Sequence, residues 1–94
     1  MTVEVVLPGF LADLAGGDKH VAVDVGPSAS LSAVLDGLAE GRPLLDRRIR
    51  DETGQVRRFV NVYVDGDDIR FQAGLDTQVR DGAEVQVLPS VAGG

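Results

Sequence analysis

The sequence has 94 residues, 44% of them hydrophobic and 26% charged, and its formal net charge is -6. This length fits one small folded domain covering residues 1–94 and excludes two, and the hydrophobic share excludes a disordered chain. The chain has no cysteine and one histidine, His20, which argues against disulfides, thiolate or polyhistidine metal sites, a cysteine nucleophile and a catalytic triad. We expect no bound metal and no intrinsic catalysis.

The composition also bears on location and partners. No apolar run approaches the roughly 18 residues of a membrane-spanning helix, and the sequence begins with a strand-like pattern in place of a signal peptide. The acidic charge and the small number of aromatic residues, four, argue against nucleic-acid binding, which favours basic faces and stacking platforms. We therefore expect a cytoplasmic protein that binds neither membranes nor nucleic acid and is monomeric on its own.

The first part of the chain predicts a hairpin of two strands. Residues 2–7 and 21–25 each alternate hydrophobic and more polar positions, which is the pattern of a half-buried strand. Between them, Pro8-Gly9 ends the first strand, residues 10–14 can form a helical turn, and Gly16-Gly17 turns the chain. We expect the two strands to pair antiparallel.

The clearest helix follows this hairpin. Hydrophobic residues between 31 and 39 recur at the spacing of one helix face, and Ser30 is placed to cap the first turn with its hydroxyl. Gly41 suits a left-handed helix end, and Pro43 is expected to prevent the helix from resuming. We expect two leucines that follow to fill the core: Leu44 and Leu45.

The middle of the chain predicts a second hairpin. Residues 52–55 have the composition of a hairpin tip between a strand at 48–51 and the most regular strand of the sequence, 58–64. The alternation in that second strand places three valines on one side of the sheet: Val60, Val62 and Val64.

Two further strands are predicted after this hairpin. Asp65-Gly66 forms a tight turn, and Ile69 and Phe71 lie in the short strand that follows. Residues 84–88 alternate again and form the last strand. The remaining residues, 89–94, are expected to form a flexible extended tail.

The order of these elements is ββαβββ, with one main helix between the initial hairpin and the later strands. We predict an α+β fold in which this helix packs on one face of a mixed sheet and the last strand lies parallel to the first. This is the β-grasp, or ubiquitin-like, fold. Six residues are predicted to be buried in its core: Val5, Val23, Leu35, Leu38, Val62 and Val87.

Two charged clusters and the histidine each allow two interpretations. Arginines 47, 48, 50, 57 and 58 favour a solvated hairpin edge whose charge discourages edge-to-edge pairing, with a docking patch for an acidic partner as the alternative. The acidic residues at 65, 67 and 68 favour a solvated turn over a cation loop, because they lack the spacing of a calcium loop. His20 is expected to be an ordinary imidazole, with pH sensing as the alternative.

The carboxyl end of the sequence is unusual in composition. After the last strand it finishes with Val91, Ala92, Gly93 and Gly94. Residues without large side chains let an extended segment enter a narrow channel and present a carboxylate to another protein's active site. A frayed end without function is the alternative.

Together with the strand order, the segment from Asp81 to Gly94 resembles the carboxyl end of the ubiquitin-like sulfur-carrier proteins, the ThiS, MoaD and CysO families. The resemblance extends to residues 58–64, to 68–71 and to Gly74-Leu75, which are most similar to the CysO branch of actinobacteria. It covers essentially the whole chain and is strongest from Arg57 onward.

The resemblance implies a carrier that other enzymes modify. An adenylating sulfurtransferase of the E1-like, MoeB/ThiF type would use Mg-ATP to activate the Gly94 carboxylate, with residues 91–94 threaded into its active site. The resulting thiocarboxylate would donate sulfur to an acceptor on a downstream synthase, in cysteine biosynthesis or that of another sulfur-containing metabolite. A processing metalloprotease is a further implied partner.

From the residues themselves, we place the docking surface for the adenylating enzyme on the sheet face away from the helix. Exposed aromatic residues would supply apolar contact there, with arginines at the rim: Phe59, Tyr63 and Phe71, with Arg57, Arg58 and Arg70.

Two other functions compete with the carrier. A ubiquitin-like modifier would be conjugated to lysines and accumulate as isopeptide-linked conjugates. A non-covalent β-grasp interaction domain would tolerate loss of both terminal glycines. An enzymatic role has the least support, because the sequence shows no constellation of base, nucleophile or metal ligands.

Overall fold

Alternating hydrophobic side chains build a five-stranded sheet, which a computed structural model describes for residues 1–27 and 29–89. The strands are β1 (Thr2–Val6), β2 (His20–Asp24), β3 (Ala29–Ser30), β4 (Val60–Val64), β5 (Asp67–Asp68), β6 (Gln78–Val79) and β7 (Glu84–Pro89). The helices are α1 (Gly9–Ala12), α2 (Leu31–Ala39) and α3 (Pro43–Ile49), with 3₁₀ turns at Asp13–Ala15, Ile69–Phe71 and Gly74–Asp76.

The main sheet has the order β2-β1-β7-β4-β5, with β7 in its centre. Strand β1 pairs antiparallel with β2 and parallel with β7, and β7 pairs antiparallel with β4. The predicted hairpin and the parallel pairing of the first and last strands are both confirmed. A second, two-stranded sheet joins β3 to β6, and its two-residue strands are too short for alternation to reveal them.

The core lies between the main sheet and helix α2. All six residues predicted to be buried are at most 4% exposed. Helix α2 contributes four buried side chains and begins as predicted, because the Ser30 hydroxyl accepts a hydrogen bond from the Ala33 N–H at 3.2 Å. Gly41 follows the helix with a left-handed backbone, φ 72°, also as predicted.

Helix α2 does not resume after Gly41, but a separate helix that the sequence did not predict, α3, begins at Pro43 itself. Proline lacks only an N–H that the first helical turn leaves unpaired, and its fixed φ suits that position. Leu45 and Ile49, four residues apart, are buried on one face of α3, while Leu44 is 69% exposed. The expectation that both leucines fill the core therefore holds only for Leu45.

The second hairpin is shorter than predicted. Residues 48 and 49 belong to α3, so the predicted strand at 48–51 is wrong and one isolated bridge, Arg50 to Val56, remains. The tip itself is present, since the Asp51 N–H donates to the Gln55 carbonyl at 2.9 Å. Strand β4 pairs with β7 and β5 on its two edges, and its valines at 62 and 64 are buried.

The short strand predicted to contain Ile69 and Phe71 is also wrong. The tight turn at Asp65-Gly66 is confirmed, since both residues have positive φ, 50° and 88°. Strand β5 then ends at Asp68, whose carboxylate accepts the Arg70 N–H at 2.9 Å and caps a 3₁₀ turn. That cap directs the chain out of the sheet.

Candidate functional site

The predicted sulfur-bearing segment, residues 91–94 with Gly94 at its end, lies outside the described residues. The strand that leads to it, β7, lies in the centre of the sheet between β1 and β4, and its Val85 and Val87 are fully buried. Pairing continues to Pro89, which lies opposite Val60, so β7 includes the first residue that the sequence assigned to the tail. The fold thus fixes the point from which the terminal segment leaves.

The topology gathers apolar side chains at this end of the sheet. Because β1 and β7 are parallel, Phe10, which follows β1, lies at the same end of the sheet as Leu88 in β7. Strand β4 runs antiparallel to β7 and starts here, which adds Phe59. Phe10 and Phe59 are 59% and 65% exposed. These residues and Pro89 line an open cleft of about 730 Å³, which we term the exit cleft.

Four arginines form the rim of the exit cleft. Arg47 and Arg48 come from the last turn of α3, and Arg57 and Arg58 from the segment before β4. The Arg57 guanidinium donates to the Arg47 carbonyl and so ties these two segments together. The Arg58 guanidinium carbon lies 5.8 Å from the centre of the Phe59 ring, within the range of a cation–π contact.

Arg50, the fifth arginine of the cluster noted in the sequence, has a different role. The Arg50 side chain is 9% exposed and donates to Asp46 and Asp36 at 2.8 Å each, which joins α3 to α2. Burial would lower the pKa of Arg50, but the hydrogen bonds with Asp46 and Asp36 outweigh it and raise the pKa above its ordinary value. Arg50 therefore belongs to neither a solvated edge nor a docking patch.

One carboxylate, Asp51, also lines the exit cleft. It accepts the Thr53 hydroxyl and the backbone N–H groups of Thr53 and Gln55. The hydrogen bond from the Thr53 hydroxyl is the main reason why the pKa of Asp51 lies below its ordinary value. The charge of Asp51 is thus engaged by its own turn.

The structure distributes the predicted docking residues over neighbouring surfaces, and a second cleft is lined by the three predicted rim arginines Arg57, Arg58 and Arg70. Phe59, Arg57 and Arg58 lie at the exit cleft, whereas Tyr63 is half-buried on the sheet face opposite Val62 and Val64. Phe71 is 88% exposed in the 3₁₀ turn after β5. Arg70 is held by Asp68 at 2.7 Å, and its hydrogen bonds lower the pKa of that carboxyl.

The sequence did not indicate that Phe10 and Leu88 contribute to this surface. It did offer a docking patch for an acidic partner, formed by the arginine cluster that includes Arg47 and Arg48, as the alternative to a solvated edge. The predicted parallel pairing of the first and last strands was sufficient to predict that Phe10 and Leu88 lie close together, because it places both at the same end of the sheet. The position of Arg47 and Arg48 depends on α3, which the sequence reasoning did not predict.

The remaining polar candidates lie elsewhere on the surface. The His20 Nδ1 atom is 2.8 Å from a Glu4 carboxylate oxygen, and both side chains are at least half exposed. Among residues 1–27 and 29–89, no group of three or more histidine or acidic side chains is arranged to hold a metal ion, the acidic turn at 65–68 included. In the same described ranges, none of the helices has the length and apolar character needed to cross a membrane.

Comparison with known proteins gives a consistent result. The chain is 38% identical to the sulfur carrier protein CysO of Mycobacterium tuberculosis over the full length of both proteins. Among solved structures, a chain of the Amycolatopsis orientalis BexX/CysO complex matches with a TM-score of 0.85 and 35% identity, covering 98% of this chain and 99% of that one.

A third similarity is to a protein that is named as a modifier and not as a sulfur carrier. Small archaeal modifier protein 1 of Haloferax volcanii matches with a TM-score of 0.82 and 30% identity, covering 96% of this chain and 98% of that one. The neighbours share the β-grasp fold, which confirms the predicted fold class. Residues 5–94 match the ThiS family, and with the full-length similarity to CysO this shows that the chain belongs to the ThiS family of sulfur carriers.

Proposed function

We propose that this protein carries sulfur as a thiocarboxylate on Gly94 and donates it to a biosynthetic acceptor. The observation that carries the proposal is the similarity to a sulfur carrier over the full length of both chains. The family match also extends through residue 94. A separate synthase binds the sulfur acceptor, which is the precursor of cysteine or of another sulfur-containing metabolite.

The proposed chemistry needs an activating enzyme because a carboxylate repels nucleophiles and has no good leaving group. A partner adenylating enzyme of the E1-like type catalyses attack of a Gly94 carboxylate oxygen on the α-phosphorus of Mg-ATP, with release of pyrophosphate. A hydrosulfide nucleophile then attacks the carbonyl carbon and expels AMP. The new carbon–sulfur bond leaves a thiocarboxylate whose sulfur is passed to the acceptor.

The fold supports a role in presentation of Gly94. Central strand β7 pairs with β1 from Glu84 to Gln86 and with β4 as far as Pro89, so the five residues beyond it start from a fixed position. Five extended residues reach at most about 18 Å, which is enough to enter a partner's active site. Gly93 and Gly94 keep the end of this segment narrow.

The test is a reconstituted sulfur transfer. Protein ending at Gly94 is incubated with an adenylating enzyme from its host, Mg-ATP and sulfide, and the intact protein and its terminal peptide are weighed by mass spectrometry. We expect the replacement of one oxygen by one sulfur in the terminal peptide. Absence of this mass with every adenylating enzyme of the host would overturn the proposal.

Two variants localise the activity. Deletion of Gly94 withdraws the carboxylate by up to about 3.3 to 3.6 Å, and misplacement by about 1 Å can already reduce a rate roughly a hundredfold. Gly93→Val widens the terminal segment and restricts its backbone. We expect neither variant to gain sulfur. Gly26→Val is the matched control, since a Cβ atom at Gly26 meets nothing within 4 Å, and it should gain sulfur normally.

The similarity to small archaeal modifier protein 1 favours a second function, conjugation to lysines of other proteins. Activation of Gly94 is common to a sulfur carrier and a modifier. The reconstituted sulfur transfer therefore distinguishes both from a non-covalent interaction domain, but not from each other. Purification from the host under denaturing conditions separates the two. Isopeptide bonds from Gly94 to lysines of other proteins indicate a modifier, and free thiocarboxylate indicates a carrier. Self-conjugation through a side chain could use only Lys19, the single lysine of the sequence.

A further inference from the structure

We infer that the exit cleft is the docking surface for an acidic, partly apolar face of the enzyme that modifies Gly94. This inference rests on the proposed function and adds the chemistry by which the enzyme is recognised. It assigns the recognition to Phe10, Phe59 and the arginine rim, which come together only in the folded chain.

The position of the cleft is the first argument. Pro89 is both the last residue of β7 and a lining residue of the cleft. Five residues separate it from the end of Gly94, so an enzyme that holds the Gly94 carboxylate lies within about 18 Å of Pro89. The surface of the carrier that such an enzyme must cover first is therefore the exit cleft.

The charge of the cleft is the second argument. In a protein of net charge -6, four arginines converge here with one carboxylate, Asp51. Within residues 1–27 and 29–89, the ion pairs made by arginine involve Arg50 and Arg70, and none of them neutralises Arg47, Arg48 or Arg58. Guanidinium groups bind carboxylates through paired, planar hydrogen bonds. Acidic side chains on the partner are the complement of this rim.

The exposed aromatic rings are the third argument. Aromatic residues and arginine are enriched among the residues that dominate protein–protein binding, whereas rings left in water gain nothing from exposure. Arg58 lies over the Phe59 ring, which places a charged donor beside an apolar anchor. A partner that buries both rings and pairs the rim with carboxylates uses every exposed feature of the cleft.

The experiment compares charge reversal at the two ends of the sheet. Arg58→Glu changes the rim, while Arg80→Glu makes the same change at an exposed residue next to the Asp81-Gly82 turn, at the end of the sheet where β1 and β7 begin. Arg48→Glu tests the rim from α3 and does not depend on the segment before β4. Arg57 is not suitable, because its side chain bonds the Arg47 carbonyl.

The readout is kcat and KM for sulfur loading by the host adenylating enzyme that loads the wild type. We expect Arg58→Glu and Arg48→Glu each to lower kcat/KM about tenfold at low salt through a raised KM, because a rim charge controls association. Unchanged kcat at saturating carrier would exclude misfolding as the cause. At about 1 M salt, where the Debye length falls to about 3 Å, the difference should shrink. Arg80→Glu should stay within about twofold of the wild type.

The outcomes separate the inference from the proposed function. If the wild type gains sulfur and Arg58→Glu or Arg48→Glu gains it with the KM of Arg80→Glu, the docking surface is wrong and the carrier proposal stands. If the wild type gains no sulfur, both fail. Sedimentation tests a third outcome, in which the wild type self-associates and the rim variants do not. If the KM effect of these variants then disappears at carrier concentrations too low for self-association, the cleft binds a second copy of this chain, which also overturns the inference.

Discussion

Charged side chains have different roles at the two ends of the main sheet. Where β1 and β7 begin, carboxylates close the turns: the Asp81 carboxylate accepts the Thr2 N–H, and the Asp65 carboxylate accepts the Glu84 N–H, each at 3.0 Å. Where β7 finishes, the arginine rim of the exit cleft surrounds two exposed phenylalanines. At the first end, which we term the acidic end, carboxylates stabilise the fold. At the second, the basic end, we propose that the arginine rim binds a partner.

The reason lies in the reach of the side chains. A short carboxylate can accept backbone N–H groups of its own turn, whereas a long guanidinium extends beyond its own backbone. Arg50 is an arginine that serves the fold, because its buried guanidinium is enclosed between Asp36 and Asp46. Asp51 lines the basic cleft, but its carboxylate accepts the N–H groups of Thr53 and Gln55 and so stabilises its own turn.

The largest expected effect comes from the core that joins the two ends. Leu35 is 1% exposed, and Leu35→Ala should lower the free energy of unfolding by about 2 to 5 kcal/mol. Both ends should lose protection together in hydrogen exchange, because they share one hydrophobic core. Leu44→Ala is the matched control at an exposed position. An unchanged urea midpoint for Leu35→Ala would show that the core is assigned wrongly.

A smaller effect is expected from the acidic end. Asp65→Ala removes the hydrogen bond to the Glu84 N–H and leaves alanine at φ 50°, which should cost about 1 to 2 kcal/mol. Asp67→Ala, in the same turn, is the matched control. Arg58→Ala at the basic end should change stability by less than about 0.5 kcal/mol. Equal losses for Asp65→Ala and Arg58→Ala in urea unfolding would remove the distinction between the two ends.

The smallest expected effect concerns Asp51 in acid. The Thr53 hydroxyl lowers the pKa of Asp51 in the folded protein below its ordinary value of 3.8. The associated stability is complete above pH 3.8 and is lost as the pH falls through the lowered pKa. Asp51→Asn and Thr53→Ala should both show a flatter acid dependence of the urea midpoint than the wild type. A wild-type slope retained in both variants would mean that Asp51 is not held by its turn.

Much of the fold was predictable because the relevant signals are local. Alternation located β1, β2, β4 and β7, and the Ser30 cap located the start of α2. Helix α3 was missed because proline was interpreted as a terminator, although it is equally suited to a first turn. The strand at Ile69 failed because the Asp68 carboxylate bonds the Arg70 N–H, a local contact that competes with the sheet.

Packing requirements left a weaker mark on the sequence. Gly37 lies within α2, where a Cβ atom would come within 2.6 Å of the Val23 side chain. The sequence shows only a glycine inside a helical pattern, which by itself lowers helix stability. The close approach of α2 to β2 gives the reason for it, and that approach exists only after the chain has folded.

The sequence by itself determined the ubiquitin-like order of elements, the six core residues and the Gly93-Gly94 end that motivates the carrier function. These follow from periodicity and composition within short windows. The tertiary structure alone decided that Arg50 is buried and paired while Arg58 lies exposed beside Phe59. It also brought Phe10, Leu88 and the rim together at the end of β7. Side chains distant in sequence become one surface through strand pairing, which no local pattern records.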